Sequence, residues 1–307
     1  MKKYNAQVEL LIQCLPTIAK VDVFVLKGGT AINLFVRQDF PRLSVDIDLI
    51  YLPIQNRIES LLGIEVGLIE IQKKLREQLN QVSVIPHKNQ QTKTITSLIV
   101  EKQGVQIKVE PNLVLRGTVD LPMKMDLSQV VADQYGLSVI NMPVAAISDL
   151  YAGKICAALD RQHPRDLFDL KPLLAQGLGE NIKKVFLVYL ASHNRPIHEL
   201  LQPNRLDLSK IYQEEFVGMT TQEVSYDSLL TVLEDLINTL KKLLTKKDQE
   251  FLLGIKQGTV NGELLGLAGI EHLPGIQWKL LNIKKMNKVV QQRALKKLQA
   301  VLDEYNL

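Results

Sequence analysis

Asp46 and Asp48 stand two residues apart among Val45, Ile47, Leu49 and Ile50, in the run RLSVDIDLIY at residues 42–51. Such a run reads as a β-strand. Side chains on a strand alternate with period two, so Ser44, Asp46 and Asp48 share one face while Val45, Ile47 and Leu49 supply the buried one. Two carboxylates about 7 Å apart on one strand face repel each other unless a cation sits between them. Mg²⁺ does this well, as a hard cation that takes one or two carboxylates together with substrate phosphates, and Mn²⁺ is an equivalent occupant. Taken alone, the pair is better explained as a sheet edge with outward acids. Three further features reverse that.

The first is Gly28-Gly29-Thr30 in VFVLKGGTAINLF, a strand-to-helix turn shortly upstream. Glycines there let backbone approach a phosphate, and the following helix offers free N–H groups and its positive dipole end. The second is Glu110, at the end of an alternating strand, VQIKVEPN. Paired beside the D-x-D strand, it brings in a third carboxylate. Two acids that hold metals and a third that accepts a hydroxyl proton are the needs of two-metal phosphoryl or nucleotidyl transfer. The third is LYAGKICAALDRQHPRDLFDL, where Lys154 and Arg161 are seven apart on one helix face and Arg165, Asp166 and Asp169 open the next helix. Cations so spaced can grip a triphosphate, the arginine through forked donors and the lysine as a point charge; a surface ion-pair network is the alternative.

The elements that position these residues fall into two regimes. Up to about residue 140, short β-rich runs alternate with helical patterns; from Ala145 onward the chain reads as helix after helix. The division is an α/β domain over 1–145 and a helical domain over 146–307. Residues 54–80 have helical periodicity, with Ile58, Leu61, Leu62, Val66, Ile69 and Leu75 on one broad face. TKTITSLIVEKQGVQIKVEPN reads as a hairpin around Lys102-Gln103-Gly104. Val8, Leu11, Ile12 and Leu15 suit an amphipathic first helix better than a signal peptide, whose apolar core Gln7, Glu9 and Gln13 would interrupt.

With 307 residues, 46% hydrophobic and 23% charged, the chain has an ordinary globular composition and length for a core without staples. Its two cysteines, Cys14 and Cys156, lie in apolar helical contexts and form no disulfide framework. No apolar run approaches a membrane span, which places the protein in the cytoplasm. The five histidines lack zinc-site spacing, and His163 reads as a helix cap or surface imidazole. The net charge of +4 decides little, but no acid falls between Glu271 and Asp303, where Lys279, Lys284, Lys285, Lys288, Arg293, Lys296 and Lys297 lie. That segment is either a solvated helix face or an electrostatic footprint for a polyanion such as RNA. Trp278 within it reads as a core anchor, with base stacking as the alternative.

The glycine turn followed by PRLSVDIDL resembles the DNA polymerase β-type nucleotidyltransferase superfamily. The segments LKGGTAINLF, RLSVDIDL, KICAALDRQHPRDLFDL, HELLQPNRLDL and GIQWKLLNIKK resemble, in order and over nearly the whole chain, the AbiEii-type nucleotidyltransferase toxin family of phage-defence and toxin–antitoxin systems. The resemblance implies an α+β fold: a polymerase β-like N-terminal domain, a mixed sheet flanked by helices, followed by an all-helical C-terminal domain. It implies that Gly28, Gly29 and Thr30 cradle nucleotide phosphates with Ser44 near them. Asp46 and Asp48 would then hold Mg²⁺ (or Mn²⁺) with Glu110 as third acid. Lys154 and Arg161 would bind the triphosphate, and Asp166 would complete the site.

The expected reaction moves a nucleoside monophosphate from an NTP to an acceptor hydroxyl. The favoured acceptor is a tRNA 3′ end, whose modification blocks translation, with Lys279, Lys284, Lys285, Lys288 and Arg293 contacting the RNA. A protein or small-molecule acceptor is the second reading, and a non-catalytic nucleotide- or RNA-binding module the third. A toxin also implies a cognate antitoxin from a neighbouring gene.

Overall fold

The computed structural model describes residues 2–137 and 139–306. It divides into two units, Met1–Leu150 with Glu215–Glu223, and Tyr151–Glu214 with Val224–Leu307. The sequence reading crosses between domains once, at 145/146; the structure also returns nine residues, Glu215–Glu223, to the first unit. There Leu43 N donates to Met219 O at 2.8 Å and Thr221 N to Pro41 O at 3.0 Å, backbone pairing that composition does not reveal.

The first unit is built on one seven-stranded mixed sheet, in the order β3-β4-β5-β2-β1-β7-β6. Its strands are β1 (Phe24–Lys27), β2 (Asp46–Tyr51), β3 (Ser83–Lys88), β4 (Ile95–Lys102), β5 (Val105–Pro111), β6 (Met123–Met125) and β7 (Met142–Val144). β2 pairs antiparallel with β1 and parallel with β5, and β4 and β5 form the expected hairpin. Gln103 and Gly104 both have positive φ, 52° and 77°, as a two-residue hairpin turn matching strand twist requires.

Helix Lys2–Ile18 and helix Arg57–Gln78 pack together and onto the sheet. Ile47, Leu49, Val109, Leu98 and Val100 lie at aligned register positions of one sheet face, and all are fully buried. Val8, Leu11, Ile12 and Leu15 are buried as the amphipathic pattern predicts. The Cys14 thiol, also buried, is pushed up to about 12 chiefly by that burial, which keeps it protonated and inert.

Helix Arg57–Gln78 turns a different face inward from the one expected. Ser60, Ile64, Gly67, Leu68, Ile71 and Leu75 are buried, while Ile58, Leu62, Val66 and Ile69 are 75, 53, 64 and 46% exposed. Two apolar stripes overlap on this helix, so periodicity alone could not choose between them. Close approach chose: a Cβ at Gly67 would come within 2.6 Å of the Phe24 ring, so only the face with the small residues fits against β1.

The second unit is helical. Helix Ile147–Arg161 enters it, and Pro164–Gln176, Glu180–Ser192, Tyr226–Leu243, Lys246–Gln257, Pro274–Lys285 and Lys288–Asp303 are its main elements. Glu180–Ser192 buries every residue from Val185 to Ser192, the signature of a central helix. Thr245 closes a capping box with Asp248, whose carboxylate also accepts from the buried Lys183 Nζ at 2.8 Å. Among the described residues no helix is long and apolar enough to cross a membrane.

Candidate active site

In the first unit, β1 ends at Lys27 and the chain turns at once into the helical stretch Gly28–Thr30, continued as a π-helix over Ala31–Val36. Gly28 sits at φ +74°, a conformation that side-chain-bearing residues avoid. A Cβ built there would run into the Asp48 carboxylate, with Asp48 Cγ 3.2 Å away. At Gly29 a Cβ would meet the Arg42 guanidinium, with Ser44 Oγ 3.2 Å away. The glycine pair thus lets the turn lie directly against the D-x-D segment.

Thr30 and Ser44 fasten the two. Thr30 is fully buried; its Oγ1 donates to Asp46 O at 2.5 Å and lies 2.9 Å from Ser44 Oγ. Asn33 Nδ2 donates to Gly29 O at 2.9 Å from within the following helix. The Thr30 hydroxyl is therefore spent on holding the turn to the start of β2.

Strand register sets the charges side by side. Lys27, Asp48 and Glu110 are direct partners across β1, β2 and β5, and Asp46 stands opposite Lys108. Partners share a face, so acids and lysines alternate on it. Glu110 does reach the row of Asp48, but its Oε2 lies 2.6 Å from Lys108 Nζ. Among the described residues no three His, Cys, Asp or Glu side chains gather closely enough to hold a metal, so the three-carboxylate cluster expected from the sequence is not formed. The Asp46–Asp48 pair itself fits a hard cation: two carboxylates on one strand face, with no hydrogen bond or ion pair to the Asp48 carboxylate among the described residues.

In the second unit, Lys154 and Arg161 both project to Asp166, but in different ways. Lys154 Nζ lies 2.8 Å from Asp166 Oδ1 and 2.9 Å from Asp169 Oδ2, with the three side chains 7, 1 and 0% exposed. Arg161 forks onto Asp166, Nε to Oδ2 at 2.6 Å and Nη2 to Oδ1 at 3.1 Å, yet its side chain is 62% exposed. Burial pushes the Asp166 carboxyl up, but Lys154 and Arg161 outweigh it and hold it well below the usual carboxylate range. Lys154 is thus bound to two carboxylates inside the unit, and Arg161 is the cation facing solvent. His163 is the N-cap of helix Pro164–Gln176, its Nδ1 accepting from Arg165 N at 3.1 Å, which presents Asp166 and Asp169 from one turn.

Three residues escaped the sequence reading. Arg42 is 2% exposed, donates from Nη1 to Leu43 O at 2.8 Å, and packs on Gly29. Its signal was present, since extending the period-two alternation back from Asp46 through Ser44 reaches Arg42. Lys27 and Lys108 needed the strand register, which sequence does not give.

The basic C-terminal segment separates into two sets. Lys284, Lys285, Lys288 and Arg293 are exposed. Lys279 is not: it is 9% exposed and donates to His193 O at 2.6 Å and Arg195 O at 3.2 Å, which removes it from any RNA-facing surface. Trp278, expected in the core, is 38% exposed, because its neighbour Lys279 takes the inward position on the helix.

Among solved structures, MenT4, a nucleotidyltransferase toxin from Mycobacterium tuberculosis H37Rv, matches with a TM-score of 0.60 and 15% identity over 90% of this chain and 92% of that one. The crystal structure of JHP933 from Helicobacter pylori is matched over 76% of this chain and 89% of that one, at 20% identity and a TM-score of 0.37. The first likeness establishes a shared fold. No curated protein matches the sequence. The family model "Nucleotidyl transferase AbiEii toxin, Type IV TA system" matches residues 9–252, most of the chain, and the protein belongs to that family of nucleotidyltransferase toxins.

Proposed function

We propose that this toxin transfers a nucleoside monophosphate from an NTP to the 3′ end of a tRNA in the cytoplasm, blocking translation. The observation that carries the reading is the Asp46–Asp48 pair on one strand face, held against the Gly28–Gly29 turn. Asp46 and Asp48 would hold Mg²⁺, which when bound neutralises polyphosphate charge and lowers the pKa of a hydroxyl.

The chain's own contribution is placement. Gly28 and Gly29 let the phosphate-binding turn lie against the Asp48 carboxylate, and the Thr30–Ser44–Asp46 contacts fix the turn to β2 before substrate arrives. Arg42, pressed on Gly29, adds a positive charge behind the turn. Glu110 serves as third acid once a substrate phosphate draws Lys108 away from it. Asp166 and Asp169 hold Lys154 and orient Arg161, whose exposed guanidinium is the group offered to the triphosphate. The acceptor hydroxyl gives its proton to Glu110 as its oxygen attacks the α-phosphorus. The bond from that phosphorus to the β-phosphate bridging oxygen breaks, pyrophosphate leaves, and the transferred group ends on the acceptor oxygen.

The exposed Lys284, Lys285, Lys288 and Arg293 favour RNA over a small acceptor, since a helix pair so charged suits a polyanion. As a member of a type IV system the toxin has an antitoxin, which we place in a neighbouring gene. The test supplies each α-labelled NTP with Mg²⁺ and total tRNA or total protein. Label in tRNA with wild type and none with Asp46→Ala is expected. Label in the protein fraction would overturn the acceptor, and no label with any NTP would overturn the transfer.

A further inference from the structure

Arg116 lies in the loop after β5, where Gly117 N donates to Tyr51 O at 2.8 Å and so fixes it at the carboxyl end of β2. It is 5% exposed. Its Nε and Nη1 are sealed from solvent, and its guanidinium has no hydrogen-bond or ion-pair partner among the described residues. A guanidinium carries five N–H donors and stays charged in proteins, so it cannot escape burial by shedding a proton. Buried charges in folded proteins are paired, and this one has no carboxylate among the described residues.

Its charged neighbour has the same sign. Burial, and then the charge of Arg57, push the Arg116 pKa down. Arg57 is the first residue of helix Arg57–Gln78, whose 22 residues end here in a positive dipole. The cap of that helix is neutral, Asn56 Oδ1 accepting from Glu59 N at 3.0 Å, and Glu59 is the one acid of its first turn, against the two arginines. Two arginines and a long helix N-terminus therefore meet at the end of β2.

We propose that Arg116 and Arg57, at the N-terminus of helix Arg57–Gln78, form a phosphate-binding site separate from the Asp46–Asp48 pair. Separation follows from the strand: Asp48 and Tyr51 are three residues apart, about 10 Å along β2. A phosphate matches the site because guanidinium donors, Nη2 being the Arg116 nitrogen not sealed from solvent, and first-turn N–H groups both present hydrogens to tetrahedral oxyanions. The phosphate can belong to an RNA backbone or be free in solution.

The experiment measures Tm of the full chain in orthophosphate and in chloride at matched ionic strength. Wild type should gain about 3 °C at phosphate well above its Kd. Arg116→Met should lose that gain while its Tm in chloride equals or exceeds that of wild type, because the unpaired charge is gone. Phosphate bound elsewhere shifts both proteins alike and cancels. Arg57→Gln, at an exposed position, should fold normally and weaken phosphate binding about tenfold. A single-stranded RNA oligonucleotide forms the second arm. Protection by the oligonucleotide that Arg57→Gln removes assigns a phosphodiester, and protection by orthophosphate alone assigns free phosphate. An equal phosphate response in wild type and both variants, or a lower Tm of Arg116→Met in chloride with the response kept, would overturn the site.

Discussion

The Asp48 carboxylate fills the space that a side chain on Gly28 would need. Gly28 also sits at φ +74°, so a methyl group there meets two obstacles, one conformational and one steric. Gly28→Ala should cost about 1–2 kcal/mol from the backbone alone. It should cost more from displacing Asp48, and transfer activity should be lost with it. Urea unfolding of Gly28→Ala, Asp48→Ala and the double variant separates the two parts. The double variant should regain the steric part of the stability but none of the activity. Strictly additive stabilities would show that the two residues do not press on each other.

That pairing was half legible in the sequence. The D-x-D alternation, the glycine turn, the hairpin and the His163 cap follow from local rules: period two, positive φ and helix capping. What escaped depends on partners far away in the chain. Asp46 stands opposite Lys108, and Asp48 opposite Glu110, only because β5 pairs in one register with β2. The inward face of Arg57–Gln78 was chosen by Gly67 against the Phe24 ring, whereas its apolar residues cover both faces. Asp169, read as a helix-turn residue, is a buried partner of Lys154, which lies fifteen residues earlier on the preceding helix. The edge strand β3, with Pro86 in it and its exposed residues, has no pattern strong enough to declare itself.

Lys154 between Asp166 and Asp169 makes the second unit sensitive to acid. Lys154→Met leaves two buried carboxylates short of their cation and should destabilise by about 3–5 kcal/mol. Arg161→Ala, at a largely exposed side chain, should cost less. The folded Asp166 carboxyl, held below its ordinary value of 3.8, contributes stability that is fully present above that value. As pH falls through and below 3.8 the unfolded chain takes up the proton first, and that stability is lost. Tm measured from about pH 6 to about pH 2.5 should therefore fall more steeply in wild type than in Asp166→Asn. Parallel curves would mean that Asp166 is not ionised in the folded protein.

Lys279 and the lysines that follow it should behave oppositely. Replacing Lys284, Lys285 and Lys288 with Gln should weaken RNA binding and lower its salt slope by about 0.7 for each phosphate left unneutralised. Lys279→Met should leave RNA affinity unchanged, since its ammonium donates inward to His193 O and Arg195 O. Its signature lies in pH. Burial, helped by the charge of Lys256, pushes Lys279 down to about 8 from an ordinary 10.5. Between those values the unfolded chain binds more protons than the folded one, so this group's contribution to stability rises with pH. Urea unfolding at about pH 7.5, 9 and 10 should show wild type gaining on Lys279→Met across that window. A constant difference, together with weaker RNA binding by Lys279→Met, would return Lys279 to the surface.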